Sequence, residues 1–168
     1  MEPHLERLQH TLNAAIAGFS TEQLTWHPEG KWSAAEVLEH LYLTYTGTIK
    51  GFERVLEAGK PIVTPATLKQ RVGIVVVLGF SHLPSGREAP KMARPRGLPQ
   101  EKVLAEIVPK IAEMDDFLTR CEQKMGPGKL LDHPILGPLT AAQWRKFHLV
   151  HGLHHIKQIR RLRAAGKD

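Results

Sequence analysis

Residues 140–159 read TAAQWRKFHLVHGLHHIKQI, and this stretch combines the pattern of an amphipathic helix with four histidines. It begins with the signals of a helix start: Thr140 can cap the helix, Gln143 completes a capping box, and Leu139 can pack onto Trp144. At about 100° per residue, one set of large side chains falls within roughly a third of the helix circumference. The set comprises Trp144, His148, His151, His155, Gln158, Ile159 and Leu162. A helix with one such side must bury it, so the stretch predicts a helix packed against others.

Four of the ten histidines lie between residues 148 and 155. His151 and His155 stand one turn apart on the same face, where both imidazoles can reach one metal ion, while His154 lies at the edge of that face. Several buried imidazoles repel one another once protonated, whereas a divalent ion is bound by neutral imidazoles. The spacing therefore predicts a metal site, with a row of core histidines as the alternative.

Three further amphipathic helices are predicted, over residues 3–19, from Ser33 to Gly59, and over residues 99–124. The second repeats the start signals of the last, because Ser33 can cap it and Glu36 completes a capping box. Pro109 lies inside the third and should kink or divide it, since proline removes a helix hydrogen bond.

The remaining segments connect these helices. Residues 74–78 have strand-like β-branched character, but no other run can pair with them, so residues 66–80 are predicted to be a short buried helix. The irregular Pro/Gly-rich connection over residues 83–99 either covers a site or only spans a distance. Residues 125–139 form a final loop. The predicted fold class is all-α: a four-helix bundle in one domain over residues 1–168, with an additional short helix and a long connection between the second and third main helices.

Composition excludes several classes of protein. Among the 168 residues the longest apolar run, residues 74–80, is too short for a membrane helix, and the N-terminus lacks the pattern of a signal peptide. A single cysteine, Cys121, excludes an intrachain disulfide, so we expect a cytoplasmic protein that binds no membrane. We interpret Cys121 itself as a buried bystander.

The net charge of +6 raises the possibility of a nucleic-acid partner. Much of the excess lies at the end of the last helix, where cations oppose the helix dipole. These residues are Lys157, Arg160, Arg161, Arg163 and Lys167. No basic motif interleaved with aromatic residues accompanies them, so nucleic-acid binding is the weaker interpretation.

A third histidine, His40, lies beside the apolar side of the second helix. Thr44, Gly47 and Gly51 follow it along the same line, and these small residues either leave room for a substrate or allow close helix packing. Three histidine ligands leave one coordination position open for water or substrate, which is typical of a catalytic site. A metal ion there would turn a water or a thiol into a nucleophile near neutral pH.

Two segments resemble the DinB/YfiT-like metalloenzymes. Residues 31–41, KWSAAEVLEHL, resemble their W-S-x-x-E-x-x-x-H segment, and residues 151–159, HGLHHIKQI, resemble H-x-x-H-H-x-x-Q-I. Residues 133–144, HPILGPLTAAQW, resemble an uncharacterised branch of the same group. The resemblance implies a four-helix bundle, commonly dimeric. Carried over by position, the implied ligands of a nickel, zinc or similar divalent ion are His40, His151 and His155.

His148 is an additional histidine on the ligand face that these motifs do not require. It could replace a ligand, hydrogen-bond to one, or do neither. Three other residues are candidates to support a metal ligand or to substitute for one: Glu36, Thr44 and Gln158. The capping role of Glu36 already explains its presence. Two further histidines, His27 and His133, each precede a proline and are interpreted as loop residues without a chemical role.

Characterised relatives in the resembled group transfer or isomerise substrates with a low-molecular-weight thiol. The resemblance therefore implies a metal-dependent transferase that uses such a thiol and acts on a small molecule. Hydrolysis by water at the metal is the second enzymatic interpretation. A non-catalytic helical protein that binds metal or a partner is the third.

Overall fold

The computed structural model describes residues 1–83 and 88–166, and these residues are predominantly helical. The α-helices are α1 (Pro3–Ile16), α2 (Thr21–Thr25), α3 (Ala34–Ala58), α4 (Leu68–Ile74), α5 (Gln100–Met125) and α6 (Ala141–Ala165). A π-helical turn, Val75–Gly79, continues α4, and a 3₁₀ turn spans Lys91–Ala93. Two short strands, β1 (Leu131–His133) and β2 (Gly137–Leu139), precede α6.

The four long helices enclose a common apolar core. Helix α3 packs along α5 and α1 packs along α6, while contacts between α1 and α5 and between α3 and α6 complete the arrangement. The side chains at its centre are fully buried; they include Leu5, Leu8, Leu12, Tyr45, Phe52, Ile107, Ile111, Met114 and Leu118. The mostly helical fold is therefore confirmed. No helix among the described residues is long and apolar enough to cross a membrane.

The predicted helix starts are confirmed in detail. Ser33 Oγ accepts a hydrogen bond from Glu36 N at 3.2 Å, and Glu36 Oε2 accepts one from Ser33 N at 2.8 Å. Thr140 and Gln143 form the same pair of bonds at the start of α6, both at 3.1 Å. At its other end α3 stops at Gly59, whose φ of 65° is the left-handed conformation that favours glycine. Local side-chain chemistry thus fixes where the two site-bearing helices begin.

One predicted helix boundary was wrong. The first helix ends at Ile16 rather than residue 19, because Ala17 is extended and Gly18 has a φ of 70°. Pro109 was expected to kink or divide the third helix; it does not divide it, since α5 is continuous from Gln100 to Met125, and the kink stays a prediction. One lost backbone bond is tolerated there because Ile107 and Ile111, on either side of the proline, are fully buried.

The expectation that residues 125–139 form only a loop was also wrong. Strands β1 and β2 form an antiparallel hairpin in which Leu131 pairs with Leu139 and His133 with Gly137. Ile62 extends it through a parallel bridge to Leu131. Gly137 adopts a φ of 70°, which permits the sharp return of the chain. Strands of three residues are too short to show an alternating pattern, so the sequence did not reveal them.

The helical prediction for residues 66–80 is confirmed by α4 and its π-helical continuation. Burial is only partial, because Val77 and Leu78 are buried while Leu68, Val72 and Val75 are exposed. Of the connection over residues 83–99, residues 84–87 lie outside the described part of the chain, as does Lys167 at the C-terminus. The 3₁₀ turn within the rest of the connection packs against α3. That contact brings the connection to the helix that carries His40.

Candidate metal centre

The structure brings three of the predicted site residues together. His40 on α3 and His151 and His155 on α6 each place one ring nitrogen within 4.8 Å of the other two. His40 Nε2 and His151 Nε2 are 3.2 Å apart. The ring centroid of His155 lies 4.7 Å from that of His40 and 4.6 Å from that of His151. We refer to these three side chains as the histidine cluster.

Hydrogen bonds orient two of the three rings. His40 Nδ1 lies 2.8 Å from the carbonyl oxygen of Ala93, and His155 Nδ1 lies 3.1 Å from Gln158 Oε1. Both partners are acceptors, so each Nδ1 carries the proton and donates it. The lone pair of each ring therefore resides on Nε2. Histidines that bind metal ions characteristically donate their other N–H to a carbonyl or carboxylate in this way.

Burial keeps the cluster uncharged. Desolvation lowers the pKa of His151 well below its ordinary value, and the neighbouring His155 and His40 lower it further. Desolvation, followed by the effect of His40, lowers the pKa of His155 to about 3. The pKa of His40 is also lowered by desolvation. Neutral imidazoles are the form that binds zinc, nickel and similar ions, so the three residues fit a divalent metal.

His151 is oriented by packing and not by a hydrogen bond from Nδ1. Its Nδ1 is buried and has no hydrogen-bond partner among the described residues. Its ring also stacks on Phe147, with centroids 5.3 Å apart and planes inclined by 14°, so packing fixes its orientation.

Glu39, next to His40 in the chain, holds the connection that supplies the Ala93 carbonyl. Its carboxylate is buried and accepts hydrogen bonds from Arg96 N at 2.8 Å and from Gly97 N at 3.1 Å. Two adjacent residues of α3 thus bind the connection between α4 and α5: Glu39 through its carboxylate and His40 through its imidazole. Sequence reasoning missed Glu39, although a charged residue between apolar positions 37, 38 and 41 was a usable signal.

A cavity of about 330 Å³ lies beside the histidine cluster, and mostly apolar and aromatic side chains line it. Thr44, Gly47 and Gly51 form part of its wall, as predicted. A Cβ added at Gly47 would meet no atom within 4 Å, whereas one at Gly51 would lie 2.6 Å from Leu131 Cδ2. Both interpretations of the small residues therefore hold: Gly47 leaves room, and Gly51 allows close packing of the hairpin.

The other candidates lie around the cluster without joining it. His148 is fully buried, and its Nε2 is 3.1 Å from Thr48 Oγ1, not directed at the three histidines. Thr44 Oγ1 donates to the backbone carbonyl of His40 at 2.8 Å. Glu36 is engaged in its capping box, and half-buried His154 lines the cavity. Of the predicted supporting residues, Gln158 alone hydrogen-bonds to a cluster side chain among the described residues.

Two residues interpreted as bystanders have different outcomes. Cys121 is buried, and burial raises the pKa of its thiol to about 11, in keeping with an unreactive side chain. His133 lies in β1 rather than in a loop and is 8 % exposed. It lines the same cavity as the histidine cluster. From the sequence, Pro134 after His133 suggested a loop, and a strand of three residues is too short to be recognised by its pattern.

Comparisons with known proteins identify a family but no activity. A family model described as "Protein of unknown function (DUF1569)" matches residues 2–162. No curated protein and no solved structure matches the chain. The matched range contains the whole histidine cluster, Glu39 and the hairpin that carries His133.

Proposed function

The chain belongs to the DUF1569 family, and we propose that it is a metal-dependent enzyme in which His40, His151 and His155 bind one divalent ion. The observation that carries this proposal is the convergence of three neutral imidazoles within 4.8 Å. The fixed Nδ1–H donors of His40 and His155 support it, because they leave both Nε2 atoms free to bind a metal. Nickel and zinc are the proposed ions, since imidazole suits both.

We further infer a bundle of the DinB type. The support is the resemblance of residues 31–41 and 151–159 to the two DinB-like segments, together with four long helices around one core. The two segments lie on α3 and α6, the helices that carry the cluster. The homodimer implied by the resemblance and the cytoplasmic location remain predictions.

The reaction we propose is transfer that uses a low-molecular-weight thiol. A divalent ion in the cluster would lower the pKa of a thiol that binds to it. Among the described residues, no carboxylate hydrogen-bonds to the three histidines. Glu88 and Asp132 line the cavity, but Glu88 is exposed and Asp132 is bonded to Thr64, so no hydrogen bond fixes either one beside the cluster as a base for an attacking water. A thiol carries its own acidic proton and needs such a base less than water does. The apolar cavity beside the cluster suits the body of a small-molecule substrate.

Metal analysis of chain purified without a His tag tests the metal site. We expect one nickel or zinc ion per chain in the wild type and its loss from His40→Ala, His151→Ala and His155→Ala, with helical content retained. His10→Ala is the matched control, because His10 is exposed on α1 and should leave the metal content unchanged. A purely structural role predicts instead that the wild type binds no metal and that the cluster variants mainly lower the melting temperature.

The thiol is tested separately with cobalt(II)-loaded protein and 2-mercaptoethanol. Coordination of the thiolate should produce a near-ultraviolet charge-transfer band in the wild type and none in His151→Ala. Cobalt-loaded protein whose spectrum does not respond to the thiol would exclude thiol chemistry at the metal. In that case hydrolysis becomes the leading reaction, while the metal site itself stands.

A further inference from the structure

The hairpin holds His133 in one tautomer. Its Nδ1 accepts hydrogen bonds from the backbone N–H groups of Ile135 and Leu136, both at 3.1 Å. The ring proton therefore resides on Nε2, which makes that nitrogen a donor. No hydrogen bond from Nε2 is found among the described residues. Burial lowers the pKa of His133 to about 4, so the ring stays neutral near pH 7.

This donor lies close to the histidine cluster. The Phe147 ring centroid is 4.3 Å from that of His133 and 5.3 Å from that of His151, so one aromatic ring connects the two. Both histidines line the cavity of about 330 Å³. That volume is at the lower end of the range for ligand pockets, roughly 300–1,000 Å³, and suits a small molecule.

The rest of the wall defines the ligand's chemistry. Trp32, Leu43, Val77, Leu131, Leu136 and Phe147 provide apolar surface. The hydroxyls of Thr44 and Thr48 donate to backbone carbonyls at 2.8 and 3.1 Å, so they offer a ligand only acceptor lone pairs.

Among the described residues, few charged side chains line the cavity. Arg54 and Glu88 line the cavity but are exposed. Asp132 accepts two hydrogen bonds from Thr64 at Oδ2, and its Oδ1 is buried without a partner among the described residues. Burying a charged ligand group in such surroundings would carry a large desolvation cost. An uncharged ligand is therefore favoured.

We propose that His133 Nε2 donates a hydrogen bond to the substrate, and that the substrate is a small, uncharged, largely apolar molecule with an oxygen acceptor such as a carbonyl. That this molecule reacts at the histidine cluster depends on the proposed function. Binding of its acceptor by His133 does not require a metal ion.

Two matched probes test the substrate class. Acetophenone carries a carbonyl oxygen on an aromatic ring, and α-methylstyrene has the same shape with a CH₂ group in place of that oxygen. We expect wild-type protein to bind acetophenone about three- to tenfold more tightly, the effect of one hydrogen bond. Dissociation constants come from NMR titrations of the protein as purified and after metal removal.

Two variants of His133 distinguish the hydrogen bonds that its Nδ1 accepts from the one that its Nε2 is proposed to donate. In His133→Asn, the amide oxygen can accept from Ile135 and Leu136 but no donor reaches the Nε2 position, so the preference for acetophenone should disappear. In His133→Gln, the amide nitrogen can occupy the donor position while the turn loses its acceptor. This variant should keep the preference and melt at a lower temperature.

Equal affinity of the wild type for the two probes, or binding of neither, would overturn the proposal without any variant. An unchanged preference in His133→Asn would also overturn it. Loss of the preference in His133→Asn, seen equally in metal-free protein, supports it even if the metal analysis fails. The two proposals can therefore fail independently.

Discussion

At the scale of single residues, the candidate site depends on which nitrogen of each imidazole carries the proton. Helical spacing was enough to select His151 and His155 as candidate metal ligands. His40 was selected by its place on the face of its helix together with the family resemblance. Gln158 could be predicted mainly because the resembled H-x-x-H-H-x-x-Q-I segment has a glutamine at that position, three residues after His155. The Ala93 carbonyl could not, since it is 53 residues from His40 and no sequence pattern marks a backbone oxygen.

Gln158→Leu tests the orientation of His155. Without the Oε1 acceptor the ring is free to rotate, and we expect the dissociation constant for zinc to rise by about 10- to 100-fold, as is usual when such a hydrogen bond is lost. Competition with a chromophoric chelator measures it. Lys157→Leu changes the neighbouring exposed position and should leave zinc affinity unchanged. Equal affinities for the two variants would show that Gln158 does not orient the ligand.

At the scale of elements, a buried ionic network joins α6 to α5. Arg145 on α6 donates to Asp115 Oδ1 at 2.8 Å, to Glu122 Oε2 at 2.9 Å and to Thr119 Oγ1 at 2.7 Å. Asp115 Oδ2 also accepts from Glu2 N, immediately before α1. The network therefore connects three of the long helices and fixes the position of the helix that carries two cluster residues.

Asp115→Ala should strongly destabilise the fold. It leaves the buried Arg145 charge partly uncompensated, and we expect the free energy of unfolding in urea to fall by about 3 kcal/mol. Asp116→Ala removes the exposed pair with Arg120, where the two atoms are 3.5 Å apart, and should cost under about 1 kcal/mol. Similar losses in these adjacent variants would contradict the assignment of the network.

Glu39→Ala tests whether the connection after α4 supports the site. Two backbone N–H groups lose their acceptor, the Ala93 carbonyl is no longer held, and zinc affinity should fall about tenfold. Trypsin should also cut more rapidly after Lys91 and Arg96, two basic residues of this segment that are not followed by proline. Glu53→Ala, at an exposed position of α3, is the control. Faster cleavage with unchanged zinc affinity would mean that the connection stabilises the fold without orienting His40.

At the scale of the whole molecule, sequence predicted the long helices well and the irregular parts poorly. Amphipathic stripes and capping boxes act over a few residues, so the starts of α3 and α6 could be predicted from sequence alone. The hairpin depends on distant partners: Ile62 pairs with Leu131, and Leu131 packs against Gly51. For that reason the cavity wall and His133 became apparent only in three dimensions.

The buried neutral histidines make the metal-free protein sensitive to acid. Burial lowers the pKa of His148 from 6.5 to about 3, so as the pH falls below 6.5 the unfolded chain takes up a proton that the folded chain does not. Stability is therefore lost as the pH falls through this window. Between pH 7 and pH 5 this one residue accounts for a loss of about 2 kcal/mol.

His148→Gln isolates that contribution. The amide can still donate to Thr48 Oγ1 but does not titrate, so the loss of unfolding free energy between pH 7 and pH 5 should be smaller by about 2 kcal/mol. Urea unfolding of metal-free protein at the two pH values measures the difference. An identical loss in wild type and variant would mean that His148 is already protonated in the folded state.

The most direct test of the central claim is a crystal structure with anomalous scattering recorded at the nickel and zinc absorption edges. We expect one anomalous peak bound by a ring nitrogen from each of His40, His151 and His155, with the Ala93 carbonyl and Gln158 Oε1 still accepting hydrogen bonds from His40 and His155. A peak at other residues, or three imidazoles hydrogen-bonded to one another in protein crystallised with excess metal, would contradict it.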